Sequence, residues 1–293
     1  MSYARDIALT ALAPAIWGSS YIVATEFLPL IDPLIVSLLR ALPAGIILLI
    51  IVRQLPKGWW IAKIFLLGAL NFSIFWTMLF IAAYRLPGGV AAVVGSLQPF
   101  IVIFAARLII GTSIKLLSIV AVMAGMLGVA LLILTPKASL DLFGIGAALI
   151  GSASMALGTV MSKKWQPPVP PLTFTAWQLT AGGILLLPTL FLVEGQWSDF
   201  SLTNFAGIAY LGLIGAAFTY LLWFRGIASL NPSSVAILGI LSPLVATLLG
   251  WFILGESLSA LQLIGVGIVL LSVIAGQYAL RPNRTALKPA MPK

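Results

Sequence analysis

Apolar residues run along this chain in segments of about 20 residues, and most charged residues stand in the short stretches between them. An apolar run of that length spans the hydrocarbon core of a bilayer as one helix. No stretch between the runs is long enough for a soluble domain. The pattern predicts ten transmembrane helices, at residues 7–26, 33–52, 60–83, 89–109, 115–134, 142–163, 172–193, 203–228, 233–253 and 260–280.

The second half of the sequence repeats the first at an offset of 144 residues, so that residues 95–99 fall on 239–243 and Gly111 falls on Gly255. Each half holds five predicted helices, and duplicating an odd number of crossings gives two copies of opposite orientation. The repeat therefore predicts an all-α integral membrane protein built from two inverted five-helix repeats. The predicted organisation is a first repeat at 1–134, a linker at 135–141, a second repeat at 142–280 and a cytoplasmic tail at 281–293.

The amino-acid composition excludes several kinds of catalytic and metal site. The chain is 61% hydrophobic and 8% charged, and it contains neither cysteine nor histidine. Disulfides, thiol catalysis and imidazole metal sites are thereby excluded, and the sequence has no phosphate-cradling Walker loop. We expect a protein that is not an enzyme, needs no cofactor and is not driven by ATP on its own.

The net charge of +9 would suggest a nucleic-acid partner if the basic residues lay together. Instead, 13 of the 16 basic residues fall in segments on the side of the N-terminus, and six of the seven acids fall on the other side or at its helix ends. That distribution follows the positive-inside rule. It predicts a multi-pass plasma (inner) membrane protein with both termini in the cytoplasm, whose basic surface faces membrane lipids rather than nucleic acid.

Two prolines interrupt predicted helices at mid-depth. Pro99 and Pro243 occupy equivalent places in helices 4 and 9, each preceded by a glycine one turn earlier, Gly95 and Gly239. Proline removes a backbone donor and weakens the helix around it. A paired break in both halves marks the substrate site of many transporters. We interpret these four residues as hinges; the alternative is a pair of static kinks.

Few polar or amphipathic side chains lie near the middle of a predicted helix, where an unbonded polar group is costly. Arg40, about seven residues in from the outer end of helix 2, is the one cation far from the ends of a predicted helix; it can hold a substrate carboxylate, bind carbonyls of a neighbouring helix or reach outward to headgroups. For the others, packing or interhelical hydrogen bonding is the alternative to substrate contact. The candidates for binding a small-molecule substrate are Trp17, Arg40, Asn71, Trp76, Gln98, Tyr220 and Ser242.

No predicted helix carries an aspartate or glutamate near its middle. Proton-coupled pumps and exporters of cationic drugs generally rely on such a group. Its absence favours a facilitator or exchanger of neutral or zwitterionic solutes that runs without a proton gradient. The alternatives are a multidrug or cation exporter and a non-transporting membrane scaffold. Small residues at Ala121 and Gly125 suit a homodimer contact, but packing within the chain is the explanation that we prefer.

The sequence also resembles a known family. Residues 241–243, 254–256 and 262–265 resemble the end of an EamA-type domain, and Trp17 with its neighbours Gly18 and Ser19 resembles its opening. This domain belongs to the drug/metabolite transporter superfamily. The resemblance covers nearly the whole chain as two tandem domains, and its overall character is similar to the YddG-type amino acid exporters. It implies ten helices, inverted halves and export of amino acids, including aromatic ones, or other small metabolites by alternating access.

Overall fold

In the computed structural model, residues 3–281 are described, with gaps at 30, 87, 134–140, 194–199 and 256, and the regular structure in those residues is helical throughout. Most of the predicted linker, the tail beyond Arg281 and Glu256 lie outside the described residues. The α-helices are α1 Tyr3–Ile22, α2 Pro33–Val52, α3 Trp59–Gly68, α4 Ile74–Arg85, α5 Gly88–Gly95, α6 Gln98–Ile110, α7 Leu116–Ile133, α8 Leu142–Lys164, α9 Pro171–Leu186, α10 Leu202–Ala209, α11 Thr219–Ser229, α12 Pro232–Leu238, α13 Leu241–Leu254 and α14 Ala260–Leu280.

Short segments of other helix types extend or join these helices. A 3₁₀ segment, Leu187–Phe191, extends α9. The π-helical segments are Val23–Phe27 after α1, Ala69–Ser73 between α3 and α4, and Tyr210–Phe218 between α10 and α11. π-Helical turns are rare and frequently mark functional sites. Sequence periodicity gave no sign of them.

Nine helical stretches of the described residues are long and apolar enough to cross a membrane. Each coincides with a predicted helix, so those nine predictions are confirmed. The remaining predicted helix is the first, at 7–26. It corresponds to α1 and is helical as well, but it is not among the nine. Large apolar side chains on the outer faces, such as Leu108 and Phe252, are more than 80% exposed, as expected for contact with lipid. The chain is a multi-pass membrane protein.

Glycines let two pairs of helices approach closely. On α2, a Cβ added to Gly45 would stand 2.6 Å from the backbone nitrogen of Thr180 on α9. On α7, a Cβ at Gly125 would stand 2.8 Å from both Ile240 and Ser272. Ala121, one turn earlier, is 3% exposed. These small residues pack within the chain, which corrects the suggestion that they support a homodimer.

Both predicted breaks are present. α5 ends at Gly95 and α6 begins at Gln98, while α12 ends at Leu238 and α13 begins at Leu241. Within the breaks the backbone forms hydrogen bonds between residues three apart, which make a tighter turn than an α-helix. The amide of Leu97 donates to Val94 O, and that of Ile240 donates to Ile237 O. Pro99 and Pro243 follow in the first turns of α6 and α13. The missing proline N–H explains why the helical ladder does not continue through either break.

The two ends of the helix bundle are each held by a contact between distant parts of the chain. At one end, which we call the tail end, the start of α1 meets the end of α14: the hydroxyl of Tyr3 donates to the carbonyl of Gln277 at 3.4 Å. At the opposite, far end, Arg85 after α4 pairs with Asp141 before α8 at 3.4 Å. The breaks lie between these ends.

Candidate functional site

An aromatic cluster fills the middle of the bundle. The Tyr220 ring lies 4.9 Å from the Trp17 ring, 4.6 Å from Phe72 and 6.3 Å from Trp76, measured between centroids. Trp76 and Tyr220 are each 2% exposed, whereas Trp17 is partly exposed. The three predicted aromatic residues are thus brought together, but only Trp17 presents a ring surface to open space. The members of the cluster are Trp17, Phe72, Trp76, Tyr220, Trp223 and Phe224.

One backbone carbonyl connects this cluster to Arg40. The indole nitrogen of Trp17 donates to Thr219 Oγ1 at 2.8 Å, and that hydroxyl donates to the carbonyl of Gly215 at 2.8 Å. The same carbonyl accepts from Arg40 Nη2 at 2.9 Å. A carbonyl oxygen has two lone pairs and can serve both donors. The positions of the Trp17 ring and the Arg40 guanidinium are therefore coupled.

Arg40 reaches inward from α2. Its guanidinium carbon stands 4.5 Å from the centroid of the Trp76 ring, a cation–π arrangement that is favourable by up to about 2 kcal/mol when desolvated. With the bond to Gly215, this contact shows one of the predicted structural roles, binding a carbonyl of a neighbouring helix. It uses only part of the side chain, because Nε is buried without a hydrogen-bond partner.

The prediction for Asn71 requires correction. Its side chain is 0% exposed and lies among α8 and α9. Its amide nitrogen donates to Gln178 Oε1 at 2.8 Å and to Ser162 Oγ at 3.2 Å. Asn71 is therefore an interhelical bonding residue in this conformation and lines no open space. Sequence reasoning overlooked Gln178 because it placed no partner opposite Asn71.

We expect Gly158→Ala to destabilise this polar group. An added Cβ would stand 2.2 Å from Asn71 Oδ1, and overpacking of a buried site typically costs about 1–3 kcal/mol. Thermal unfolding in detergent measures the loss. Gly146→Ala is the matched control on the same helix, since its added Cβ meets nothing within 4 Å. The double variant Gly158→Ala, Asn71→Ala should recover part of the loss; a Gly158→Ala protein as stable as the Gly146→Ala protein contradicts this assignment.

Gln98 and Ser242 lie at the two breaks. Gln98 is the first residue of α6 and Ser242 the second of α13, and both are partly exposed. The Ser242 carbonyl would be 2.8 Å from a Cβ on Gly18, so Ser242 adjoins the residue next to Trp17. Among the described residues, no hydrogen bond or ring contact joins the Gln98 side chain to the aromatic cluster. The breaks and the cluster are neighbours on the α13 side only.

The two short helices before the breaks differ in burial. Every residue of α12 is buried, and α12 packs among α1, α6, α8, α11 and α14. On α5, residues 92–95 are partly exposed, and α5 packs mainly against α4, α7 and α8. A Cβ on Gly95 would meet nothing within 4 Å, whereas one on Gly239 would stand 3.0 Å from Ala236 O. α12, on the tail-end side of its break, is thus more enclosed than the described side chains of α5, on the far-end side of theirs.

Specific bonds close the tail end. The Arg225 guanidinium pairs with the Asp6 carboxylate at 2.7 Å, joining α11 to α1. Ser234 on α12 donates to the side-chain oxygen of Gln277 on α14, whose amide nitrogen donates to the Ser234 carbonyl at 2.8 Å. At the same end lies a cavity of about 320 Å³, lined by Tyr3, Ser113, Lys115, Ser229, Leu230, Asn231, Leu280 and Arg281.

The comparisons with known proteins agree with this architecture. The model of the EamA-like transporter family matches residues 5–134 and 142–275. The chain is 46% identical over 280 residues to protein PecM of Dickeya dadantii, covering 94% of each protein. It is 28% identical over 284 residues to YedA, an inner membrane transporter of Escherichia coli K12, covering 94% of this chain and 92% of YedA.

One solved crystal structure superposes with a TM-score of 0.81 over 95% of this chain and 99% of the other, at 15% identity. A likeness at that level of identity concerns the fold alone. The family model, by contrast, matches both halves of the sequence separately. The chain belongs to the EamA-like transporter family.

Proposed function

We propose that this protein exports small neutral or zwitterionic metabolites, amino acids including aromatic ones foremost, by alternating access. The observation that carries the proposal is the unequal burial of two equivalent helices, α5 and α12. A site open toward one end and closed toward the other is one of the two states that alternating access requires. Exchanging the environments of α5 and α12 would give the second state.

The topology that we propose has ten membrane-spanning helices in two inverted repeats: the nine stretches described above and, before them, α1. The contact between Tyr3 and Gln277 supports it, because the first and last helices meet at one end only after an even number of crossings. Equivalent helices also pack in pairs, α2 with α9 and α7 with α14. The basic residues assign the tail end to the cytoplasm. With that assignment, we interpret the structure as the outward-open state, and both termini are proposed to lie inside.

The proposed substrate class follows from the groups at the centre. The partly exposed Trp17 ring suits an apolar or aromatic side chain, and Arg40 supplies a cation for a carboxylate. This supports a YddG-like specificity. A multidrug or cation exporter would need an acid here, and no carboxylate is among the contacts of Arg40 in the described part of the chain. A scaffold would not need the opening toward the far end.

Movement is proposed at the two breaks, with Gly95, Pro99, Gly239 and Pro243 as hinges. Transport should need no proton gradient, because no predicted helix carries an acid near its middle and the contacts of Arg40 in the described residues include no carboxylate. Substrate then moves down its own gradient or in exchange for another molecule. Export requires no further coupling when the cytoplasmic concentration exceeds the external one.

A flux assay tests this function. Purified protein in liposomes loaded with an unlabelled amino acid should accumulate the labelled form by counterflow, and a proton uncoupler should leave the rate unchanged. Pro99→Ala and Pro243→Ala should each slow this flux several-fold without changing the size-exclusion profile. Absence of flux across a panel of amino acids would reject the proposed substrate class, and dependence on a pH gradient would reject the uncoupled mechanism.

A further inference from the structure

Arg40 holds a positive charge in the interior that its protein contacts do not neutralise. The carbonyl of Gly215 and the ring of Trp76 offer partial negative charge only. Of the four acids that the structure describes, Asp6 pairs with Arg225, Asp141 pairs with Arg85, Asp32 caps the start of α2 by accepting from Leu34 N, and Glu26 is exposed. Arg40 is partly exposed as a residue, but its Nε is buried, and a partly buried cation without an acid partner is electrostatically unfavourable. A bound anion would supply the missing charge.

Two unused polar atoms show where such an anion would bind. Arg40 Nε and Ser20 Oγ are both buried and have no hydrogen-bond partner. Buried polar groups in proteins are nearly always bonded, so each exception calls for a cause. Gly215 relates the two side chains in space: the position of its absent Cβ lies 3.8 Å from Arg40 Nη2 and 3.8 Å from Ser20 Oγ. Donors from α1 and α2, together with Leu211 Cδ2 at 3.7 Å, therefore border the methyl-sized space that glycine leaves.

We propose that Arg40, Ser20 and the space beside Gly215 form a carboxylate-binding subsite, and that the substrate requires a carboxylate on an aromatic or apolar body but no ammonium group. The inference rests on the function proposed above and extends its substrate class from amino acids to carboxylates that lack the ammonium group. A monoanion neutralises the Arg40 charge, whereas a zwitterion brings an ammonium for which the contacts of Arg40 and the cluster contain no acid. Deaminated carboxylates should accordingly be ligands at least as good as the amino acids.

A ligand series on one carbon skeleton tests the inference. Titration calorimetry on the purified full-length protein in detergent compares 3-phenylpropionate, phenylalanine, phenethylamine and 3-phenylpropanol. We expect 3-phenylpropionate to bind at least as tightly as phenylalanine, and the two compounds without a carboxylate to bind about tenfold more weakly or worse, since a hydrogen bond to a charged group is lost. Phenethylamine binding as tightly as 3-phenylpropionate, or phenylalanine binding tenfold more tightly, overturns the subsite.

Two mild variants locate the subsite. Ser20→Ala should weaken 3-phenylpropionate about fivefold and leave 3-phenylpropanol unchanged, without lowering the thermal midpoint, because the hydroxyl has no partner to lose. Gly215→Ala should weaken the carboxylate similarly by filling the space. Its control is Gly212→Ala on the same π-helical segment, where the added Cβ lies 3.6 Å from the backbone of Arg40 and approaches no side-chain donor.

The outcomes separate the subsite from the wider function. Amino acid flux with no carboxylate preference, or with parental affinities in both Ser20→Ala and Gly215→Ala, rejects the subsite and keeps the exporter. Absence of both flux and binding rejects both. Arg40→Lys distinguishes charge alone from the guanidinium fork: it should retain weak binding of 3-phenylpropionate, because an ammonium offers no planar pair of donors.

Discussion

Gly18→Leu is expected to abolish transport and to reduce the yield of folded protein. Gly18 lies on α1 where that helix crosses α13, and an added Cβ would stand 2.8 Å from the carbonyl oxygen of Ser242, 2.8 Å from Val245 Cβ and 2.9 Å from the Ala246 nitrogen. Two of these atoms belong to the backbone beside the break and cannot move independently. A leucine would force the helices apart, and we expect a loss above about 3 kcal/mol, at the upper end of overpacking effects.

Size-exclusion chromatography of the solubilised protein and liposome flux measure the two consequences. Gly267→Leu is the control, since Gly267 lies within α14 and an added Cβ meets nothing within 4 Å. It should fold and transport as the parent does. Gly18→Ala should give an intermediate result, with folded protein but slower flux. A Gly18→Leu protein that folds and transports at the parental rate would show that α1 and α13 are not in tight contact during the transport cycle.

The sequence predicted the helices well because their physical cause is local. An apolar run of about 20 residues has one favourable structure in a bilayer, whatever its neighbours are. The breaks were also predictable, since Pro99 and Pro243 remove a backbone donor in any context. The π-helical segment Tyr210–Phe218 was not, because its composition resembles that of any buried helix.

The site was only partly predictable, because its geometry depends on which helices face each other. The mid-depth rule identified Trp17, Arg40 and Tyr220, which the structure brings together. It could not identify Gly215, whose contribution is a carbonyl and an empty space. It also could not separate Asn71 from the substrate candidates, since an amide bonded between helices and an amide facing a cavity have the same sequence signature.

Gly95→Cys is expected to react with a membrane-impermeant thiol reagent on intact cells at least about tenfold faster than Gly239→Cys. The chain has no cysteine of its own, so the background is zero. Both glycines are partly exposed, but a Cβ on Gly95 would meet nothing within 4 Å, whereas one on Gly239 would stand 3.0 Å from Ala236 O at the end of the buried helix α12. A thiol reacts as the thiolate, which forms in water and not in lipid. The assay therefore reports a water-filled opening.

The two glycines occupy equivalent positions in the two halves of the sequence. A difference in their reactivity therefore reports the conformation of the protein rather than a difference in their place within a helix. An added Cβ on Gly239 would lie 4.0 Å from the Trp223 ring, whereas one on Gly95 meets nothing within 4 Å. Ser113→Cys, exposed at the tail end, should react only in inverted vesicles and so fixes the orientation. Equal reactivity at both glycines would mean that the outward-open state is not the one populated in the membrane. Reaction at neither glycine on intact cells, with Gly239→Cys reactive in inverted vesicles, would mean that the protein rests closed on the outside.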